Sequence, residues 1–238
     1  MQARAESEIT VKVLCSKKKL FDILERKHFL LKRRLKITDY YFTHLDILNA
    51  NFEFKTLIKN SLIIRHKEII DKSDLSTFGI DGQSTLLYKK KEFAEDNTVL
   101  SELKIACDLG NPTKAKRIFS AMGLNNWCVK KGTWHIYKRK ELELYVQEVE
   151  NLGLFIELEQ SENQKGSPQK IQQALIQEIE SLRIPLGNDF NVNIAHLLYL
   201  KRYTKPVKRL KPIKTKLKPA SKPKPAVKVK AKAKRKTK

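Results

Sequence analysis

Glu157 and Glu159 stand two residues apart in the stretch Leu154-Phe155-Ile156-Glu157-Leu158-Glu159. Side chains alternate along a strand, so both carboxylates share a face with Phe155, while Leu154, Ile156 and Leu158 take the other. Two like charges on one face repel unless that face is open to water or meets something positive. A hard metal ion needs carboxylate oxygens at short range, and such a pair could supply them. Lys and Arg in the same space would grip a dense anion such as a phosphate chain.

The elements that must position such a site repeat the same alternation. In "ESEITVKV" Ile9, Val11 and Val13 oppose Glu6, Glu8, Thr10 and Lys12. Leu62 and Ile64 oppose Ile63, Arg65 and Lys67; Leu86 and Tyr88 oppose Leu87, Lys89 and Lys91; Val99, Leu103, Ile105 and Cys107 oppose Leu100, Glu102 and Lys104. With "DYYFTH" (39–44), "WCVKKGTWHIYK", "LELYVQEV" and "LFIELE", about eight strands are expected, enough to close a barrel. Helices are expected over "SKKKLFDILERKHFL", over "NPTKAKRIFSAMG" between an Asn-Pro start and a Gly stop, from Ser167-Pro168 onward, and over about 191–200. The run "DKSDLSTFGIDGQS", with Gly79 and Gly82, is expected to be a hairpin loop. The class is therefore α+β. Alternation alone fits an open polar sheet as well as a charged interior.

The chain has 238 residues, 41% of them hydrophobic, enough for one globular domain with a sizeable core. The opening "MQARAESEITVKV" lacks a signal-peptide core and no apolar run approaches a bilayer span, so a cytoplasmic protein without a membrane span is expected. Cys15, Cys107 and Cys128 are widely spaced among apolar neighbours, which predicts reduced, buried thiols. The formal charge of +23 is concentrated: residues 201–238 hold 18 Lys or Arg, five of the eight prolines and no Asp or Glu. That stretch is expected to be a disordered Lys/Pro/Ala-rich tail beside a domain spanning 1–200, and to bind nucleic acid or another acidic surface without reading sequence.

Taken in order, "EITVKV", "DYYFTH", "LIIRHK", "LLYKKK", "SELKI", "VKKGTW" and above all "EVENLGLFIELE" (148–159) resemble the CYTH superfamily of class IV adenylyl cyclases and thiamine triphosphatases, the triphosphate tunnel metalloenzymes. The resemblance spans most of residues 6–200. It implies an eight-stranded antiparallel β-barrel with packed helices whose interior binds a triphosphate such as ATP, with Mg²⁺ or Mn²⁺ as cofactor. It assigns metal ligation to Glu6, Glu8, Glu157 and Glu159, and triphosphate binding to Lys12, Arg65, Lys89, Lys130 and Lys131. Glu8, Lys12 and Glu102 are the catalytic candidates. The implied activity is that of a class IV adenylyl cyclase, making cyclic AMP and pyrophosphate. The alternatives are a triphosphatase acting on tripolyphosphate, thiamine triphosphate or an RNA 5′ end, and a triphosphate-binding module without turnover. Thr10, Ile63, Leu100, Lys104 and Gln147 depart from the family pattern; three acids and two arginines are replaced, counting the pattern's positions, and metal affinity follows the number of carboxylate oxygens.

The tail generates a direct test. Binding of the intact chain to RNA or DNA, followed by filter retention against salt, is expected to weaken steeply as salt rises, and to collapse when the basic stretch is removed, because up to 18 cations displace counterions there. Salt-independent binding contradicts that origin.

Overall fold

The computed structural model describes residues 5–47, 53–70, 82–95, 99–161 and 166–203, with only the backbone described for residues 5 and 6. The sheet has nine strands: β1 (Ala5–Glu6), β2 (Glu8–Lys12), β3 (Leu30–Thr43), β4 (Asn60–Ile69), β5 (Gln83–Phe93), β6 (Val99–Leu109), β7 (Asn125–Arg139), β8 (Leu142–Val149) and β9 (Gly153–Glu159). Their spatial order is β1-β6-β5-β4-β3-β7-β8-β9-β2, antiparallel throughout.

The two ends of that order, β1 and β2, are consecutive pieces of one N-terminal strand broken at Ser7. Glu6 pairs with Glu102 on β6, and Glu8 pairs with Glu159 on β9. Ser7 serves both neighbours: its hydroxyl donates to the Leu100 carbonyl (3.2 Å), while its carbonyl accepts from the Gln160 amide (2.9 Å). One interrupted strand thus closes eight strands into the expected α+β barrel, joined to β9 along Glu8–Lys12 and to β6 at Glu102 and Leu103.

Five helices pack around the sheet: α1 (Lys17–Arg26), α2 (Phe54–Lys59), α3 (Pro112–Ala121), α4 (Pro168–Ser181) and α5 (Ile194–Tyr203). The side chains of Ser16, Asn111 and Ser167 cap α1, α3 and α4 by accepting from Lys19, Lys114 and Lys170 amides. The largest core lies outside the barrel. Ile9 and Val11 of β2, Leu144 and Val146 of β8, and Ile156 and Leu158 of β9 are buried beneath Leu20, Ile23 and Leu24 of α1 and Ile171, Leu175 and Ile179 of α4. A second cluster sets Ala115 and Phe119 of α3 against Phe42 and Ile64. With their apolar faces outward under helices, these strands turn the opposite, charged faces inward. Each fully buried aliphatic side chain stabilises this arrangement by about 1.5–3 kcal/mol.

Three expectations change. The first helix stops at Arg26 rather than near Leu30, because His28 takes a left-handed backbone (φ 62°) and the Phe29 amide folds back onto the Leu24 carbonyl (3.0 Å). The residues released from it begin β3, which runs 14 residues rather than starting near Asp39. A register shift between Leu31 and Arg33 interrupts alternation there and conceals the strand from a periodicity reading. The thiols are free as expected, but only Cys128 is buried; Cys15 is half-buried and Cys107 exposed, since β6 carries it on the outer face. The short α2 has no counterpart in the sequence reading, and α5 continues past residue 200 to Tyr203, with Lys201 Nζ donating to the Asn151 carbonyl (2.6 Å). The described part of the compact unit runs through Tyr203. The basic stretch beyond it, Gly79 and the rest of the expected hairpin loop through residue 81 fall outside the described residues. No helix among the described residues is long and apolar enough to cross a membrane.

Gly132 marks the tightest strand approach. A Cβ placed there would collide with the backbone carbonyl oxygen of Glu148 on β8 and press on Val149 Cα at 3.2 Å. Gly132→Ala is therefore expected to lower unfolding stability in urea by about 1–3 kcal/mol. An unchanged midpoint would mean that β7 and β8 part there without cost.

Candidate functional site

The barrel interior is a cavity of about 360 Å³. Seven cationic side chains from five strands line it: Arg33 of β3, Arg65 and Lys67 of β4, Lys89 and Lys91 of β5, Lys104 of β6 and Lys130 of β7. Glu8, Glu102, Glu143, Glu157 and Glu159 line it as well. A second cavity of about 480 Å³ shares Glu8, Thr10, Lys91 and Asn193 with the first and adds Lys12, Phe93, Asn188, Asp189 and His196.

The charges divide into two groups. In one, Asp39 is fully buried and takes Arg65 in a two-pronged bond, Nε to Oδ1 at 2.7 Å and Nη2 to Oδ2 at 2.8 Å, with Lys130 Nζ 3.3 Å away. Both cations lie over the Trp134 ring, at 4.7 and 5.1 Å. Burial pushes the Asp39 carboxyl up, but Arg65 and Lys130 outweigh it and hold it far below the usual carboxylate range. Lys130 is the second cation on one carboxylate; burial and the like charge of Arg65 hold its pKa down despite Asp39.

In the other group three lysines and three glutamates interleave. Lys89 Nζ is 2.5 Å from Glu102 Oε1; Lys91 lies 3.0 Å from Glu102 Oε2 and 3.6 Å from Glu8 Oε1. Lys104 is the hub, 2.9 Å from Glu8 Oε2, 3.7 Å from Glu102 Oε1 and bonded to Glu159 Oε1. Burial opposes charge on Glu8, yet Lys104, Lys89 and Lys91 prevail and its pKa falls well below the ordinary value. Lys104 is raised in turn, since Glu8, Glu159 and Glu102 outweigh its burial. Glu157 stands apart: burial, then Glu8 and Glu159, push its pKa up. It is held by neutral donors, Gln147 Nε2 at 2.7 Å and the Thr10 hydroxyl at 3.5 Å, while Gln147 Oε1 accepts from Lys130 (3.4 Å). An acid at position 147 would repel Glu157; the amide links the two charge groups.

The residues proposed from sequence are not all brought together. Glu8, Arg65, Lys89, Glu102, Lys130, Glu157 and Glu159 face the tunnel. Lys12, at the exposed end of β2, lines the adjoining cavity instead of the tunnel. Lys131 is a correction: neighbours on a strand face opposite ways, so Lys131 is exposed in an outer groove beside Glu148 and Asn151. The Glu6 side chain lies outside the described residues, although the Glu6 backbone pairs with Glu102. His135 also faces outward, buried edge-on against Phe21. Asp39, Lys91 and Lys104 belong to the site without being among the residues expected from sequence. Lys91 and Lys104 share the charged faces of their strands with Lys89 and Glu102, which was signal enough for both.

One oxygen each from Glu8, Glu157 and Glu159 lies within 4.8 Å of the others, a spacing that suits a single cation. That trio is what the resemblance implies for a divalent ion. However, the Lys104 ammonium already stands in contact with Glu8 and Glu159, so the residues as arranged do not accommodate Mg²⁺ or Mn²⁺ alongside it.

No family model matches the chain. A curated protein of Methanocaldococcus jannaschii, named "Putative adenylate cyclase MJ0240", is 25% identical over 108 residues, 45% of this chain and 61% of that protein; the match thus spans less than two thirds of the relative. Among solved structures, PH1819 of Pyrococcus horikoshii OT3 superposes with a TM-score of 0.59 at 21% identity, covering 83% of this chain and 98% of that one. A "putative adenylate cyclase" of Vibrio parahaemolyticus gives 0.55 at 12% identity, covering 83% and 98%. Both solved structures share the fold of this chain, an antiparallel barrel with packed helices, over 83% of its length.

Asp39 offers a pH test. Its depressed pKa contributes stability that is full above the unfolded carboxyl value near ~3.9 and is lost as pH falls toward its folded value. Asp39→Asn leaves Arg65 and Lys130 buried without their counter-charge, so at neutral pH it is expected to cost about 3–5 kcal/mol. In denaturant titrations the gap to wild type should narrow below about pH 4. A gap independent of pH would assign the loss to shape rather than charge.

Proposed function

We propose that the tunnel receives the triphosphate group of a nucleoside or organic triphosphate and that the chain turns it over as a CYTH-type enzyme, in the manner of a class IV adenylyl cyclase. The observation that carries this reading is the convergence of seven Lys and Arg side chains on one cavity of about 360 Å³. Phosphate oxygens are the ligands that so dense a set of donors recognises. Arg33 and Lys67 have no carboxylate partner among the described residues, and the burial that lowers Lys67 is relieved by an arriving anion.

The adjoining cavity supports an esterified triphosphate over bare polyphosphate. It opens from the tunnel at Glu8, Thr10 and Lys91 and offers Phe93, Asn188 and His196 to an organic group. In the cyclase reaction the 3′-hydroxyl attacks the α-phosphorus, the bond from that phosphorus to the bridging oxygen breaks, and pyrophosphate leaves. Lys89, Lys91, Lys130 and Arg65 stand where they would neutralise the charge that builds on the leaving group. Glu102 holds Lys89 and Lys91 in place, Glu8 also holds Lys91, and Asp39 holds Lys130 and Arg65.

A second reading, a triphosphate-binding module without turnover, is favoured by one observation: Lys104 ties down Glu8 and Glu159, two of the three acids closest to one another.

Incubation with ATP, tripolyphosphate and thiamine triphosphate, each with Mg²⁺, with Mn²⁺ or with a chelator, is expected to yield cyclic AMP and pyrophosphate from ATP. Orthophosphate as the product would make the chain a triphosphatase. Binding without any product would leave the module, and absence of both would remove the proposal.

A further inference from the structure

Glu8, Glu102 and Glu159 meet Lys89, Lys91 and Lys104 in a set of three negative and three positive charges closed within the barrel. Glu157, the remaining acid near them, is satisfied by the neutral donors Gln147 and Thr10. Within that set the charges sum to zero, so a divalent ion on Glu8 and Glu159 would have to compete with the ammonium groups already there. Position and reach agree with the charge count. Lys104 projects from β6 into the space between β2 and β9, and its ammonium touches acids from both strands, Glu8 and Glu159. A metal ion bound to those oxygens at the usual ~2.1 Å would stand beside a fixed positive charge that solvent screens only in part, where like charges repel.

We propose that the Lys104 ammonium is the tunnel's resident cation, and that the tunnel binds a triphosphate without a divalent metal. Resting on the reading that the tunnel takes a triphosphate, this adds how its charge is met. The lysine serves as a covalently tethered monocation: it holds the acids of β2 and β9 together in the empty barrel and presents its remaining N–H to a phosphate oxygen. Metal affinity then becomes a property that the residue at position 104 suppresses. Restoring an uncharged side chain there should reveal it.

The test uses the full chain and two separate titrations. In the first, Mn²⁺ alone is added and the free ion is read by electron paramagnetic resonance. Wild type is expected to bind no tighter than about 1 mM, Lys104→Gln at least about tenfold more tightly, and Lys104→Arg, which keeps the charge, as weakly as wild type. In the second, tripolyphosphate binding is measured by calorimetry in chelator. Wild type is expected to bind, with less than about a threefold change when Mn²⁺ replaces the chelator; Lys104→Gln is expected to lose about tenfold in chelator and to recover with Mn²⁺. Micromolar Mn²⁺ binding by wild type, left unimproved in Lys104→Gln, overturns the proposal. So does tripolyphosphate binding by wild type that vanishes in chelator. If tripolyphosphate binds under no condition, the triphosphate reading fails and with it the proposed binding mode, while the Mn²⁺ titration still decides whether Lys104 holds the cation's place. Circular dichroism melting of each variant separates a lost contact from a lost fold.

Discussion

The interleaving of Lys89, Lys91 and Lys104 with Glu8, Glu102 and Glu159 is the interaction that allows a closed sheet to carry charge on its inner face. Each of those groups, alone in the interior, would lose its hydration at a cost of several kcal/mol. Arranged alternately they replace water for one another. Because the inner face is given to charge, apolar burial must be found elsewhere, and α1 and α4 supply it against the outer faces of β2, β8 and β9. Helices outside and charges inside are thus two results of one requirement, and neither arrangement would hold without the other.

The same requirement explains why the fold was legible in the sequence while part of the site was not. Alternation survives wherever a strand has one apolar face, so Ile9 and Val11, Ile156 and Leu158, and the opposition of Leu86 to Leu87 and Lys89 could be assigned to sides. Where leucines and cations mix on both faces, as in Leu30 to Lys36 of β3, or where a register shift breaks the period, no such signal exists. Partnership across the barrel is a different kind of information. The contact between Lys104 and Glu8 depends on how β6 and β2 come to face the same cavity, which no local spacing encodes. Lys104 read in isolation was a missing acid; in place it is the centre of a network.

Gln147 shows how such departures from a family pattern can be mutually consistent. An amide accepts from Lys130 and donates to Glu157 at once, which a carboxylate could not do without repelling Glu157. Thr10 donates to the same oxygen of Glu157. Two neutral residues and one lysine, each unremarkable as a substitution, together convert an acidic centre into a balanced one. The fit among them is mutual, since any one alone would leave a buried charge or an unmatched hydrogen-bonding group.

The break at Ser7 has a kinetic consequence. Because a single interrupted strand closes the barrel, β2 can be completed only after β9 is in place; Thr10 and Glu157, which meet across that seam, are 147 residues apart in the chain. The meander from β3 through β6 can assemble from hairpins, but the seam joins distant parts of the sequence and carries a large loop-closure entropy. Closure is accordingly expected to come late in folding. Until it does, the flanks of β6 and β9 are unpaired and the inward charges face water, so a partly folded barrel exposes strand edges to other chains and leaves its outer core without Ile9 and Val11 of β2.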